Sequence, residues 1–411
     1  MATIKPLRGL RPRPELAREV ASVPYDVVDR DEALALAGTN RRSFLHVTRP
    51  EIDLAASVDP YSDAVYDQGK AALEQLIADH VLIRDSKPAF YAYALTMNGH
   101  TQTGLVLGAS VADYEQNIVR KHEHTRPDKE DDRARHIEAT RAQTGKVLLV
   151  HPRSEVVDAE IAEAKSATAN TSFTADDGIK HELWVIDDPS RIERLQQAFA
   201  AMGALYIADG HHRSAAASRV ARAQRQAGGT TVDNEVFVAV SFPANEVRIM
   251  PYNRVVHDLN GRSARAFVAE VRERFDVSAG KPGTSRAGQL GMFLADAWYT
   301  LRVRESDLPE GDLVSRLDVS VLQDRLLSSV LGITDPRRDQ RIQFVGGNQG
   351  DDELVRRVKA LTTGDQVAVA FSLHPTSIDD LFAIADRDQV MPPKSTWFEP
   401  KLRDGLVTHR F

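Results

Sequence analysis

The chain contains no cysteine, and that absence removes several chemistries at once. Disulfides, thiolate metal centres, iron–sulfur clusters and a cysteine nucleophile are excluded. A reducing compartment suits such a chain, and the expected location is the cytoplasm. An excess of positive charge is missing too: 52 Lys and Arg face 59 Asp and Glu, giving a net charge of −7. A general nucleic-acid binder carries a basic balance or stripe, so no nucleic-acid partner is expected. No apolar run approaches the roughly 20 residues that cross a bilayer, so no membrane partner is expected either. Met1 to Pro14 carries Lys5, Arg8, Arg11 and Arg13 among prolines with no apolar segment, unlike a signal peptide. The common nucleotide and hydrolase signatures are absent. No Gly-rich loop ends in Gly-Lys-Ser/Thr, no Gly-x-Gly-x-x-Gly follows a strand, and there is no Gly-x-Ser-x-Gly elbow. Val345-Gly346-Gly347-Asn348 comes nearest to a phosphate loop and lacks its lysine.

What is present is enough for several lobes: 411 residues, 42% of them hydrophobic. Composition and turn signals divide the chain into 1–115, a central lobe 116–250, and 251–411. Tyr61 to His80 has helical spacing, and Phe90–Thr96 with Thr103–Ala109 predicts a hairpin around Asn98-Gly99. Ser43 to Glu51 reads as a strand running into a polar turn. Pro127 predicts a helix start, with the helix continuing to about Gly145. Val147–His151, Glu182–Ile186 and Asn234–Phe242 read as strands, and Val319 to Leu331 as a helix. Strands and helices interleave irregularly with several hairpins, which predicts an α+β fold with mixed sheets.

The chemistry concentrates in Leu205-Tyr206-Ile207-Ala208-Asp209-Gly210-His211-His212-Arg213, followed by an Ala-rich segment. The pattern predicts a strand, a tight turn and a helix from about Ser214 to Gly228-Gly229. Backbone N–H groups at a helix start are unpaired and partly positive, so a capping anion belongs there. Asp209 is placed to cap. His211, His212 and Arg213 crowd the same end, and a phosphate-sized guest would resolve that conflict. The alternative is that both histidines are neutral and locally bonded while Arg213 pairs with a distant carboxylate.

Arg120 to Arg133 forms a second constellation. It holds Arg120, Lys121, His122, Glu123, His124, Lys129, Asp132 and Arg133. Lys129 and Arg133 are four apart, so a helix presents both on one face. Cations beside a carboxylate suit phosphoryl transfer, with Glu123 taking a hydroxyl proton. His122-Glu123-His124 is not the zinc-protease motif, which needs its second histidine where Arg126 stands. A metal on His122, His124 and His136 lacks ligand spacing, and a solvated, salt-bridged helix start is the plain alternative. A third constellation is Met391 to Lys401. Prolines stiffen it around the donors Lys394, Ser395, Thr396 and Lys401, and Trp397 and Phe398 could anchor it as a simple arm.

These residues together resemble one bacterial and archaeal family, catalogued as domain of unknown function 1015. The resemblance rests on Tyr206 to Arg213, Lys121-His122-Glu123-His124-Thr125 and Met391-Pro392-Pro393-Lys394-Ser395-Thr396. Pro24-Tyr25-Asp26-Val27, His46-Val47-Thr48-Arg49-Pro50 and Pro251-Tyr252-Asn253-Arg254 match as well, so it spans nearly the whole chain. The Asp-Gly-His-His-Arg turn is similar to that of free-serine kinases with a ParB/sulfiredoxin-like core. The resemblance implies that core with additional lobes, and a kinase making O-phospho-L-serine with Mg²⁺ and pyrophosphate, ADP or ATP. It implies catalytic roles for Glu123, His122, Asp209, His211 and His212, with Asp209 toward the metal. Arg120, Lys121, Thr125, Lys129, Arg133, Arg213, Lys394 and Ser395 would hold phosphate. Tyr25, Asp26, His46, Arg49, Thr396 and Lys401 would bind substrate. The expected partners are therefore L-serine and the donor, with a homodimer left open. Arg141-Ala142-Gln143-Thr144-Gly145-Lys146 departs from the family pattern and leaves the donor open. Rival readings are a metal-dependent phosphoesterase or nuclease, a nucleotide-gated binding protein, and a non-catalytic phosphate-binding regulator.

Overall fold

Asn98 and Gly99 both take positive φ, 52° and 76°, the backbone of a two-residue turn whose twist matches that of its strands. The hairpin they close lies at the heart of a computed structural model that describes residues 1–229, 231–283, 286–308, 310–364 and 366–411. The chain forms two units, Met1–Val247 with Pro400–Phe411, and Arg248–Glu399. Residues 1–115 and 116–247 thus share one unit, to which the last twelve residues return.

Among the described residues, the first unit is built on a nine-stranded mixed sheet. Its strands are β1 (Ile4–Lys5), β2 (Phe90–Met97), β3 (His100–Ser110), β4 (Val119–Arg120), β5 (Val147–His151), β6 (Thr171–Thr174), β7 (Lys180–Ile186), β8 (Leu205–Asp209) and β9 (Val236–Pro243). They lie in the order β4-β8-β5-β9-β3-β2-β7-β6, with β1 along β3. β4 and β8 run parallel, as do β5 and β9, and the remaining pairs are antiparallel. Alternation puts Phe90, Ala92, Ala94, Leu105, Leu107 and Ala109 into one core. Two helices, α1 (Pro127–Thr140) and α2 (His211–Gln226), add Ala134, Ile137, Ala216, Ala217, Val220 and Ala221 to it. The small side chains on α2 let its axis approach the sheet closely. Tyr91, Tyr93 and Leu95 are equally buried on the opposite face, so apolar runs here replace clean alternation.

The second unit carries an antiparallel sheet of β10 (Tyr252–Val256), β11 (Asp276–Ala279), β12 (Gln289–Leu294), β13 (Ala297–Arg302), β14 (Ile342–Gly346) and β15 (Val369–Ser372), in the order β11-β13-β12-β15-β10-β14. Leu354 and Val358 of the helix Gly350–Leu361 pack on Val255, Phe293, Val345 and Ala370. The fold is therefore α+β with mixed sheets. No helix among the described residues is long and apolar enough to cross a membrane.

Several local expectations are corrected. Ser43 to Glu51 is not a strand: Leu45–Thr48 is a helical turn and Pro50–Asp53 a 3₁₀ turn. Phe44 and Val47 face one core and Leu45 another, a spacing that a helical turn satisfies and strand alternation does not. α1 ends at Thr140, because Arg141 turns left-handed (φ 53°) and Ala142–Gln143 then pairs with His409–Arg410. The expected helix Val319–Leu331 is α-helical over Asp318–Leu322 and becomes a π-helix over Gln323–Ser328.

Burial has a consequence for acid stability. Desolvation lowers the imidazoles of His122 and His136 to about 4 and those of His151 and His181 to about 3. His211 is likewise pushed well down, by burial first and then by His122. All five are depressed below the unfolded value of about 6.5, so the unfolded chain binds more protons as pH falls from 6.5 toward 4. The stability they hold in neutral form is lost across that window, at roughly 1.4 kcal/mol per pH unit for each imidazole. Asp404 acts oppositely. Burial raises it to about 6, so its contribution is present below pH 4 and lost as pH rises through 6. Five imidazoles outweigh one carboxyl, so urea titrations should show stability falling by several kcal/mol between pH 6.5 and 5. A flat profile there would contradict the buried neutral state.

Candidate active site

β4 and β8 are parallel neighbours, with Val119 opposite Leu205 and Arg120 opposite Tyr206. Two motifs more than eighty residues apart therefore leave the sheet at the same end, the carboxyl ends of their strands. That end is where α/β sheets commonly bind ligands. Gly210 makes the turn out of β8 with φ 100°. A Cβ there would lie 3.1 Å from Arg213 Cζ and 3.3 Å from Val147 Cα. Glycine is thus required twice over, by backbone angle and by close approach. Gly210→Ala should lower unfolding free energy by about 1–3 kcal/mol, read from urea titrations at pH 7.5. A loss below about 0.5 kcal/mol would contradict the packing described.

α2 begins at His211 rather than Ser214, so His211, His212 and Arg213 form its first turn, and Gly210 is the N-cap without a side-chain cap bond. Asp209 is not the cap. Its Oδ2 lies 3.3 Å from Arg213 Nη2 and 3.6 Å from Lys401 Nζ. The two histidines instead bind the loop that follows β4. His211 Nε2 accepts from the His122 N–H at 3.4 Å, and His212 Nε2 from the Arg126 N–H at 3.0 Å. The His122 and His211 rings meet edge to face with centroids 4.5 Å apart. Accepting at Nε2 leaves the proton of a neutral imidazole on Nδ1, and His211 Nδ1 faces Glu123 Oε2 at 4.0 Å. Glu123 keeps 35% of its side chain exposed while His211 keeps 5%. A partly exposed carboxylate thus lies beside a buried neutral imidazole.

Arg213 resolves the charge conflict from within. It is buried, donates to the Lys146 carbonyl, and places Nη2 3.3 Å from both Asp26 Oδ2 and Asp209 Oδ2. Burial alone would lower its pKa, but Asp26 and Asp209 raise it. The helix-end cations therefore need no guest, because His211 and His212 are neutral and Arg213 is paired. That corrects the expectation that unbalanced charge by itself marks a phosphate site. Beneath Arg213, the Gly145-Lys146 segment forms a floor: a Cβ on Gly145 would lie 3.1 Å from Arg213 Cδ. Lys146 is buried with Nζ 2.6 Å from the Arg403 carbonyl, and burial lowers its amine to about 8. Neither Lys146 nor Asp404 stands out in the sequence, since nothing local marks a lysine before a strand or an Asp-Gly turn as buried.

The other sequence-derived residues divide. Tyr25 joins this cluster, its ring under the Arg133 guanidinium at 4.0 Å. Arg133 also pairs with Asp132, and Arg49 reaches the Tyr25 carbonyl at 3.4 Å while pairing with Glu51. Lys121 Nζ turns to the Tyr114 carbonyl at 3.0 Å and its ring at 4.2 Å. Lys129 binds the Tyr61 hydroxyl, so it and Arg133 do not present one joint cationic face. Thr125 Oγ1 donates to Glu130. His46 is held by Asp53 and the Asn40 carbonyl. Lys394, Ser395 and Thr396 belong to the second unit, where Ser395 Oγ donates to the Pro392 carbonyl. Among the described residues no group of three or more His, Asp and Glu suits a metal ion. The His122, His124 and His136 alternative therefore falls, and His136 Nε2 faces the Val47 carbonyl instead.

No curated protein matches the chain in sequence. Solved structures with a similar trace include SbnI with a C-terminal truncation from Staphylococcus aureus, at 11% identity and TM-score 0.38, covering 74% of this chain and 86% of that one. A free serine kinase in complex with AMP gives 10%, 0.34, 72% and 86%. A conserved hypothetical protein from Pyrococcus furiosus gives 14%, 0.35, 73% and 93%. Likenesses this loose transfer no function from chain to chain. The sequence comparison is firmer: residues 4–320 match the family described as "Protein of unknown function (DUF1015)", and the chain belongs to that family.

Proposed function

We propose that this protein is a phosphotransferase moving a phosphoryl group from a small donor (pyrophosphate, ADP or ATP) to the hydroxyl of free L-serine. The observation that supports it most is the juxtaposition of Glu123 with His211 at the carboxyl ends of two parallel strands. Phosphoryl transfer asks mainly for positioning and charge neutralisation. Glu123 takes the serine hydroxyl proton as the new O–P bond forms and the donor's P–O bond breaks. His211 keeps the carboxylate oriented and, being neutral, does not quench its basicity. His122 holds His211, and His212 holds the loop at Arg126. Lys401, partly exposed beside Asp209, neutralises donor oxygens together with Arg120. Asp26 and Tyr25 line the acceptor side, and Mg²⁺ would supply further neutralisation of the donor.

A donor that binds only the folded chain must stabilise it. At a hundred times its Kd, pyrophosphate with Mg²⁺ should add about 2.7 kcal/mol, seen as a rise in Tm. Lys401→Ala should shrink that rise. Absence of any protection by pyrophosphate, ADP or ATP would remove the reading.

A further inference from the structure

The second unit holds a cavity of about 270 Å³, lined among others by Arg254, Gln323, Thr334, Arg337 and Pro393. Its volume is close to the lower end for small-molecule sites. Arg254 stands out within it. The side chain is 2% exposed, among the largest fully buried ones. Its guanidinium donates to the Tyr252 carbonyl and, at 2.9 Å, to the Lys394 carbonyl, and lies 4.7 Å from the Phe344 ring centre. Among the described residues no carboxylate pairs with it. Burial lowers it to about 10 and only Tyr252 opposes that. Asp335 also lines the cavity, but its carboxylate accepts from the Arg337 N–H and pairs with Arg338.

A cation is costly to bury unless it is paired. Holding two carbonyls does not require a charge, and two bonds leave much of a five-donor fork unused. The residues around it come from motifs that the proposed reaction does not absorb: Pro251-Tyr252-Asn253-Arg254 and Pro392-Pro393-Lys394-Ser395. Gln323, which also lines the cavity, begins a π-helical turn, an irregularity frequent at functional sites. We propose that Arg254 is the floor of an oxyanion-binding pocket in the second unit, taking the phosphate or carboxylate group of a small molecule. Arg337 at the rim adds a second cation, and the planar fork of Arg254 reads two oxygens at once. The inference stands on the second unit alone and does not rest on the proposed reaction.

The test is calorimetric titration and thermal melting of the full chain with inorganic phosphate and, separately, acetate, at fixed ionic strength. Lys401→Ala serves as the background, so that binding in the first unit is suppressed. One of the two probes should bind and raise Tm, and which one does so distinguishes phosphate from carboxylate. Arg254→Lys should weaken that probe about tenfold to a hundredfold. Thr334→Trp, at an exposed position on the rim, should abolish binding with an unchanged circular dichroism spectrum, and it decides the matter should Arg254→Lys fail to fold. Binding of neither probe, or equal binding in Thr334→Trp, overturns the proposal.

Discussion

Glu123→Gln should slow phosphoryl transfer to L-serine by about a hundredfold to ten-thousandfold, the usual effect of removing a general base. Glutamine keeps the shape and cannot take the proton. The side chain is 35% exposed and lies 4.0 Å from His211 Nδ1, and because glutamine is isosteric Tm should stay close to the parent's. The pattern that supports the assignment is therefore a fall in kcat with donor protection intact. A variant that turns over at the parent's rate removes Glu123 as base. One that loses donor protection as well places it in binding instead.

Arg213→Met should be strongly destabilising. Methionine fills much of the stem's volume but leaves the Lys146 carbonyl without a donor and sets Asp26 and Asp209 facing each other across the gap. Breaking a buried pair from one side typically costs about 3–5 kcal/mol. Asp26 and Asp209 keep 38% and 32% of their side chains exposed, so water recovers part of the loss and about 3 kcal/mol is expected. Urea titration at pH 7.5 measures it. Adding Asp26→Asn should recover stability, because Asp26 then no longer repels Asp209, which keeps Lys401 beside it. Arg213→Lys should not, because a single ammonium cannot serve two carboxylates and a carbonyl at once. A loss below 1 kcal/mol for Arg213→Met would mean the cluster is not the organising contact described.

Local chemistry was legible wherever a short segment determines its own backbone. Asn98-Gly99 announces its hairpin, Pro127 its helix start, and the apolar runs of β5 and β8 their strands. Segments divided between two cores were not: Phe44 to Val47 reads as a strand, and the helical turn that sends Phe44 and Val47 to one core and Leu45 to another depends on neighbours that no local window contains. The candidate site shows the same limit. The concentration of His, Arg and Asp at 209–213 and 120–126 is visible in the sequence, and so is the suspicion that they act together. The parallel pairing that joins them is not, because nothing in either segment specifies its partner. Nor is the origin of Arg213's neutralisation. Asp26 lies 187 positions away, and of the two readings open at the sequence level, pairing with a distant carboxylate describes Arg213. Lys146 and Asp404 are invisible for a related reason, since their chemistry comes from burial where the returning C-terminal segment meets the rest of the unit.

The charge of the helix end is balanced internally, and Glu123 lies partly exposed beside it. Phosphorus NMR of the purified chain with Mg²⁺, L-serine and pyrophosphate, ADP or ATP in turn addresses that arrangement most directly. The account predicts a growing O-phospho-L-serine resonance with at least one donor, lost in Glu123→Gln. Donor consumed to inorganic phosphate at the same rate without serine, or no donor consumed at all, would contradict it.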